Sequence, residues 1–126
     1  PADVDRLMAD AGIVRHRGKI EAAINNAHRA RELREEFGSL AAFVWRFEPP
    51  DDERPARLTA EVLRTMTTSA QSVALSRDLK QRGWAFVGPT TMYAFMQSMG
   101  LVNDHLEECC VRQAVQVQRS RFVRPR

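Results

Sequence analysis

KQRGWAFVGPTTMYAFMQSMGLVNDHLEEC, residues 80–109, contains the clearest structural signals in this chain. A helix is predicted to end at Arg82-Gly83, because glycine readily adopts the left-handed conformation that closes a helix. Pro89 then suits the first turn of a second helix, where its fixed φ fits and its missing N–H is not needed. The pattern predicts two helices joined by a tight hairpin.

The second of these helices carries an apolar stripe. Its members recur at the i, i+3, i+4 and i+7 spacing of one helix face: Met92, Phe95, Met96 and Met99. A matching stripe lies upstream, formed by Leu40, Phe43, Val44 and Phe47. No stretch alternates apolar and polar residues as a strand would. The sequence therefore predicts an all-α fold, a helical bundle that contains a helix-hairpin-helix motif.

The helix that leads into the hairpin has a predicted start. Thr68 and Gln71 fit a capping box of the Ser/Thr-x-x-Gln type, in which two side chains satisfy free N–H groups at the helix N-terminus. From there the predicted helix carries Val73, Leu75 and Leu79 toward the hairpin.

The predicted hairpin has features that suit a phosphate ligand. Glycine allows the backbone to approach a ligand closely, and the start of a helix presents unpaired N–H groups at the positive end of its dipole. Thr90 and Thr91 add hydroxyl donors, and Lys80 and Arg82 precede the turn. The alternative is an ordinary capped connection between two helices, and the turn by itself fits both interpretations.

The composition is that of a single modest domain. The chain has 126 residues, of which 44% are hydrophobic, and it contains no apolar run long enough for a membrane span. A net charge of +3 permits nucleic acid as a partner without requiring it. The two cysteines, Cys109 and Cys110, are adjacent and cannot link distant elements, so a reducing, cytoplasmic setting is expected.

The chain divides into a helical domain and a tail. Residues 1–111 carry the predicted helices, whereas residues 112–126 hold five arginines and no acidic residue. We predict that this basic tail is disordered. Within the domain, the segment from Glu48 to Pro55 has three prolines and four acidic residues and is predicted to be an exposed, mobile loop.

A second basic segment lies near the start of the chain. Arg15, Arg17 and Lys19 flank His16 before a long predicted helix. Cationic side chains of this kind can contact a DNA backbone, although a solvated basic turn is the simpler interpretation. His16 and His28 have no partner at metal-ligand spacing, and both are interpreted as polar surface residues.

Two blocks of sequence carry a family resemblance. RGWAFVGPTTMYAFMQSMGLVNDH, residues 82–105, and DAGIVRHRGKIEAAINNA, residues 10–27, resemble the bacterial DNA-3-methyladenine glycosylase I family. The resemblance runs from Asp3 to about Cys110. It implies the all-helical fold of the helix-hairpin-helix glycosylase superfamily, excision of alkylated adenine and a structural zinc. The chain begins within the family's pattern, so the family's N-terminal portion is expected to be missing from this fragment.

His105 and Cys109 are the candidate metal ligands. Four residues apart on a helix, they would share one face, but a structural zinc normally needs four ligands. The resemblance implies that these two are the family's C-terminal zinc ligands, while the other two belong to the missing N-terminal portion. A helix would turn Cys110 away from that face. The fragment alone is therefore expected to bind zinc weakly or not at all.

The resemblance also implies where the chemistry lies. The family recognises the flipped base with a Glu and several aromatic residues of its N-terminal portion, so no catalytic residue is expected in this chain. Tyr93 and Ala94 are expected to border the substrate pocket. Asn103 occupies the position where the wider superfamily places a catalytic Asp, and Asp104 is interpreted as a turn cap. The expected DNA-binding residues are Lys80, Arg82, Gly83, Trp84, Gly88, Thr90 and Thr91.

The predicted function is base-excision repair of DNA. The intact enzyme is expected to be a DNA-3-methyladenine glycosylase, a hydrolase that cleaves the N-glycosidic bond of alkylated adenine and leaves an abasic site. Its expected partner is double-stranded DNA with alkylated bases, and a monomer in the bacterial cytoplasm, without membrane contact, is expected. The fragment alone is expected to be inactive. Two alternatives are a non-enzymatic helix-hairpin-helix module that binds DNA or protein, and a small helical packing domain with no DNA role.

Overall fold

A computed structural model describes residues 2–125 of the chain. Over this range the structure contains α-helices, one short 3-10 helix and no strand, which confirms the predicted all-α fold. None of these helices is both long enough and apolar enough to cross a membrane. The helices are α1 Ala2–Ala9, α2 Arg17–Phe37, α3 Leu40–Trp45, α4 Ala60–Thr65, α5 Ala70–Gln81, α6 Pro89–Ser98 and α7 Arg112–Arg121, with the 3-10 helix at Asp51–Glu53.

The core lies where α2, α3, α5 and α6 meet. Its buried side chains come from these helices and from the turn after α6, and they include Leu33, Phe43, Leu75, Leu79, Met92, Met96 and Leu101. The stripe predicted on α6 is confirmed at Met92 and Met96, whereas Met99 is 56% exposed. Met99 lies just beyond the last residue of α6, where the backbone turns away at Gly100. Packing of α5 against α6 holds the two arms of the hairpin together.

The start of α5 differs by one residue from the prediction. Ser69, not Thr68, is the N-cap, and its hydroxyl accepts a hydrogen bond from the Ser72 N–H at 3.1 Å. Ser72 in turn accepts from the Ser69 N–H at 2.8 Å, so the capping box pairs two serines. The predicted partner Gln71 lies one position too early for this role and instead donates to Glu53.

The acidic, proline-rich segment is attached to the fold rather than mobile. Pro49 is buried, and the Arg54 side chain is only 16% exposed because it pairs with Asp104. Glu48 accepts hydrogen bonds from Arg119 at 3.0 Å and from Arg124 at 2.7 Å. The prediction of an exposed loop is correct for residues 50–53 and wrong for Pro49, which is buried, and for Glu48, Arg54 and Pro55, which are partly buried.

The predicted disordered tail is also corrected, because α7 occupies most of it. Asn103 Nδ2 donates to the Arg112 carbonyl at 3.1 Å and to the Gln116 side chain at 3.2 Å, which fixes the first turn of α7. At its other end the Phe122 ring packs on Trp45, with centroids 4.8 Å apart. Three of the tail's arginines, Arg112, Arg119 and Arg124, have acceptors within the fold. Pro1 and Arg126, at the two ends of the predicted domain and tail, lie outside the described residues.

Candidate nucleic-acid interface and metal half-site

The hairpin, residues 82–88, has as its second residue a glycine that no other residue could replace without strain. Gly83 has φ +79 and closes α5: its N–H donates to the Lys80 carbonyl at 3.0 Å, and the Trp84 N–H donates to the Leu79 carbonyl at 3.0 Å. A Cβ at Gly83 would also lie 3.3 Å from Nε of Arg29. The predicted glycine C-cap is confirmed.

Two asparagines of α2 hold the hairpin by its main chain. Asn26 Nδ2 donates to the Ala85 carbonyl at 2.9 Å, while Asn26 Oδ1 accepts from the Ala85 N–H at 2.9 Å. Asn25 Nδ2 donates to the Gly83 carbonyl at 2.8 Å. Sequence reasoning missed both residues, although two adjacent asparagines inside a helix are poor helix formers and signal some other role.

The second half of the hairpin alternates an exposed and a buried side chain. Phe86 has a left-handed backbone, with φ 58, and its side chain is 56% exposed. Val87 is buried, and its carbonyl accepts a hydrogen bond from the buried Ser76 hydroxyl at 2.6 Å. The hairpin is thus fixed from α2 on one side and from α5 on the other.

The N-terminus of α6 opens to the surface. Gly88 is its N-cap, Pro89 is its first residue, and no side chain in the described part of the chain caps it. A Cβ at Gly88 would meet nothing within 4 Å, so no neighbouring atom of the protein requires a glycine here and the space beside the helix start is open. Thr90 and Thr91 are exposed beside the free N–H groups of this first turn. The positive end of the helix dipole and these donors together favour an anion.

Of the remaining predicted DNA contacts, Lys80 lies at the surface, whereas Trp84 and Arg82 are engaged within the protein. Lys80 is exposed near the end of α5. Trp84, in contrast, packs on the core, and its indole Nε1 is buried without a partner among the described residues. Arg82 pairs with Glu36 at 2.6 Å and with Asp78 at 2.5 Å, which raises the Arg82 pKa and binds the side chain to the protein itself.

The basic segment near the start of the chain meets the hairpin. The rings of His16 and Phe86 pack edge to face, with centroids 6.1 Å apart and planes at 88°. His16 also caps α2, since its Nδ1 accepts a hydrogen bond from the Lys19 N–H at 3.1 Å. The structure therefore brings together two features, the basic turn and the hairpin, that are far apart in the sequence.

Tyr93 and Asp104 belong to a buried polar network. The Tyr93 hydroxyl donates to Asp104 Oδ2 at 2.7 Å, Gln97 donates to the same oxygen at 2.9 Å, and Arg54 donates to Oδ1. Burial raises the pKa of Tyr93, the hydrogen bond from Arg54 opposes that shift, and the bond to Asp104 adds to it. Asp104 is thus an acceptor between three side chains, which corrects its interpretation as a turn cap.

Ala94 is the exposed neighbour of this network. It lies at a surface groove of about 520 Å³ lined by Ala94, Gln97, Ser98, Val102, Asp104, His105 and Val115. Tyr93 is 2% exposed and does not line this groove. No Phe, Tyr or Trp of residues 2–125 lines it, and its one ring is the imidazole of His105, the candidate metal ligand.

His105 and Cys109 come together, although on a turn and not on the helix that their spacing suggested. The Cys109 N–H donates to the Leu106 carbonyl at 2.9 Å, and Cys109 Sγ lies 3.5 Å from His105 Nδ1. A tetrahedral zinc with one nitrogen and one sulfur ligand holds those two atoms about 3.5 Å apart. The pair therefore fits half of a zinc site. Residues 2–125 contain no group of three or more His, Cys, Asp or Glu side chains that would complete it.

Comparisons with known proteins agree on one family. A family model described as methyladenine glycosylase matches residues 1–113. DNA-3-methyladenine glycosylase 1 of Escherichia coli K12 is 47% identical over 109 residues, which are 86% of this chain and 57% of that protein. DNA-3-methyladenine glycosylase of Haemophilus influenzae is 42% identical over 108 residues, 85% of this chain and 57% of that protein.

Solved structures give the same result. A crystal structure of 3-methyladenine DNA glycosylase I has a TM-score of 0.73 at 42% identity and covers 86% of this chain and 59% of its own. A structure of Staphylococcus aureus 3-methyladenine DNA glycosylase I, which concerns 3-methyladenine recognition, has a TM-score of 0.78 at 33% identity. The match includes 88% of this chain and 58% of the S. aureus chain. The chain thus spans less than three fifths of the length of these relatives.

Proposed function

Because this chain belongs to the methyladenine glycosylase family, we propose that it carries the DNA-binding part of a DNA-3-methyladenine glycosylase. Such an enzyme hydrolyses the N-glycosidic bond of an alkylated adenine in double-stranded DNA and leaves an abasic site. The observation that carries this proposal is the uncapped first turn of α6, which bears the exposed Thr90 and Thr91.

The proposed helix-hairpin-helix contact is with the DNA backbone. A phosphate at the start of α6 receives hydrogen bonds from main-chain N–H groups and the threonine hydroxyls, and Lys80 adds charge from the end of α5. None of these groups reads a base edge, so the contact is independent of sequence. This suits a repair enzyme, which meets its damaged base in any sequence context.

Recognition of the base has different requirements. A methylated adenine carries positive charge and is already a good leaving group, so its excision needs a selective pocket more than a strong nucleophile. The groove beside Ala94 is lined by no Phe, Tyr or Trp of residues 2–125, and its one ring is the imidazole of His105. We therefore propose that residues 2–125 supply DNA binding, that Tyr93 and Ala94 support the pocket wall, and that the chain alone releases little or no base.

His105 and Cys109 are the proposed half of a structural zinc site. When bound, zinc would supply a cross-link between these two side chains and two further ligands. Co²⁺ absorption tests the assignment, because a cobalt–thiolate bond has a charge-transfer band. We expect weak binding whose band disappears in Cys109→Ser and His105→Ala. Cys110→Ser is the matched control, and loss of the band in that variant would contradict the assignment.

Fluorescence anisotropy with a labelled DNA duplex tests the DNA-binding proposal. The logarithm of the binding constant should fall linearly with the logarithm of salt concentration, because bound phosphates release counterions. Lys80→Ala should reduce that slope by about one. Arg64→Ala removes the same charge from the exposed face of α4 and should leave the slope nearly unchanged. Absent or salt-independent binding would overturn the proposal.

A second assay tests the division of labour. The 126-residue chain is incubated with methylated DNA, and free 3-methyladenine is measured by chromatography, with the E. coli relative as the positive control. We expect binding without appreciable release. Release at the rate of the E. coli enzyme would show that the described residues include the complete pocket and would contradict the proposed division.

A further inference from the structure

Phe86 is an aromatic residue in a conformation that favours glycine. Its φ of 58 lies in the left-handed region, which bulky side chains rarely adopt because it is strained. Its side chain is 56% exposed, so burial in the core does not offset that strain. The left-handed turn keeps the phenyl ring on the surface while the next side chain, Val87, enters the core.

Phe86 lies between the basic turn, residues 15–19, and the first turn of α6. Beyond its edge-to-face contact with His16 lies the basic turn, where Arg15 and Lys19 are exposed and have no ion-pair partner in the described part of the chain. Arg17 of the same turn is occupied, since it pairs with Asp5 at 3.2 Å and with Glu21. On the hairpin side lies the open first turn of α6.

The Phe86 ring thus separates the first turn of α6 from Arg15 and Lys19. Along one DNA strand, an apolar deoxyribose separates successive phosphates in the same order. We propose that Phe86 packs on a deoxyribose, with one phosphate bound at the start of α6 and the other bound by Arg15 and Lys19. This inference rests on the proposed DNA-binding function and deepens it, because it makes the basic turn and the hairpin a single DNA-backbone surface. A phenyl ring has no donor or charge, so its contribution is independent of salt.

Phe86→Gly is the informative substitution, because it removes the ring and also the unfavourable side chain at positive φ. We expect an unchanged or higher melting temperature together with DNA binding weaker by about five- to tenfold, as for burial of the half-exposed part of a phenyl ring. The salt slope should stay at its wild-type value, unlike that of Lys80→Ala. Phe86→Tyr keeps the ring and should keep the affinity.

Two further variants make the result decisive. Phe86→Asn, whose side chain also tolerates the left-handed region, should weaken binding as Phe86→Gly does. Met99→Ala removes an apolar side chain that is also 56% exposed, at the opposite end of α6, and should leave the affinity unchanged.

The outcomes separate the two proposals. Salt-dependent binding by the wild type, with the same affinity in folded Phe86→Gly and Phe86→Asn, would overturn the role of Phe86 and leave the proposed function intact. Absence of salt-dependent binding by the wild type would overturn both. A loss of affinity in Met99→Ala equal to that in Phe86→Gly would also overturn the inference, because the effect would then be general to exposed apolar side chains.

Discussion

At the scale of single residues, Asn26 makes two hydrogen bonds to Ala85, and Asn25 makes one to Gly83. Asn26→Ala leaves a main-chain N–H and a carbonyl without partners and should lower the free energy of unfolding by about 1–3 kcal/mol. Urea denaturation measures the loss, and hydrogen exchange at the Ala85 N–H should accelerate. Asn25→Ala is the matched control and should cost less, because its one bond to the hairpin is exposed and alanine is the better helix former.

The ionisation of Tyr93 can be followed by absorbance without overlap from other phenols, because this residue is the only tyrosine of the chain. Burial raises its pKa above the ordinary value of 10.0. Phenolate absorbance should therefore appear only at higher pH in the folded chain than in the chain in urea. A folded-state titration at the ordinary pKa would contradict the burial of this hydroxyl.

The same shift affects stability, and its sign follows from linkage. Because the pKa of Tyr93 is raised by folding, its contribution is fully present below the unfolded pKa of about 10 and is lost as the pH rises through the folded pKa. Tyr93→Phe should be less stable at neutral pH, since Asp104 loses a donor, but should show a smaller alkaline loss. Melting temperatures of both proteins across that pH range provide the measurement. A parallel alkaline decline in both would count against the prediction.

The role of a single residue could be predicted from sequence where that role depends on the residue's own backbone. Gly83 and Pro89 act on their own backbone, so their roles could be predicted. Asn26 acts on an atom 59 residues away, and no local pattern names its partner. Asp104 likewise accepts from Arg54, 50 residues away, so a turn cap was the only role that its sequence neighbourhood offered.

At the scale of elements, Arg82 links α5 to the C-terminal part of α2 through Glu36. The hydrogen bond from Arg82 lowers the pKa of Glu36 below its ordinary value of 4.5. A lowered folded pKa gives stability that is present above the unfolded pKa and is lost as the pH falls through the folded one. Glu36→Gln should therefore flatten the acid side of the melting-temperature profile. Glu35→Gln makes the same charge change on the same helix and should leave that profile unchanged.

The element most difficult to predict was α7. Its arginines indicate a solvated tail when only neighbouring residues are considered, because like charges at high density oppose compaction. The acceptors of Arg119 lie 71 residues away at Glu48 and 19 residues away at the carbonyl of Gly100. The hairpin, in contrast, was predictable because its stop and start signals are contiguous.

At the scale of the whole molecule, Glu48 joins the end of the chain to its middle. Arg119 and Arg124 lie 71 and 76 residues away, and both donate to its carboxylate. Glu48→Ala leaves two partly buried guanidinium groups without their acid and should destabilise the fold by about 2–4 kcal/mol, with α7 exchanging its amides faster. Asp52→Ala, at an exposed acid of the same segment, should have little effect. Equal losses in the two variants would contradict the specific role of Glu48.

The family and the class of fold followed from two sequence blocks, whereas the shape of the candidate interface did not. The basic turn and the hairpin are 70 residues apart from His16 to Phe86, and only the tertiary packing of α2 brings them into contact. The proximity of His105 and Cys109 was predictable because the two residues are close in sequence. Their turn geometry was not predictable, since the spacing also fits a helix.

Asn25 and Asn26 hold the hairpin only through main-chain atoms. Main-chain atoms are the same for every side chain, so a substitution at Ala85 leaves both hydrogen bonds from Asn26 to the hairpin in place. The side chain at Ala85 can therefore change while the backbone of the hairpin keeps its position on α2. A library that varies Ala85, selected for binding to differently modified DNA backbones, would sample new surface chemistry while both asparagine contacts persist.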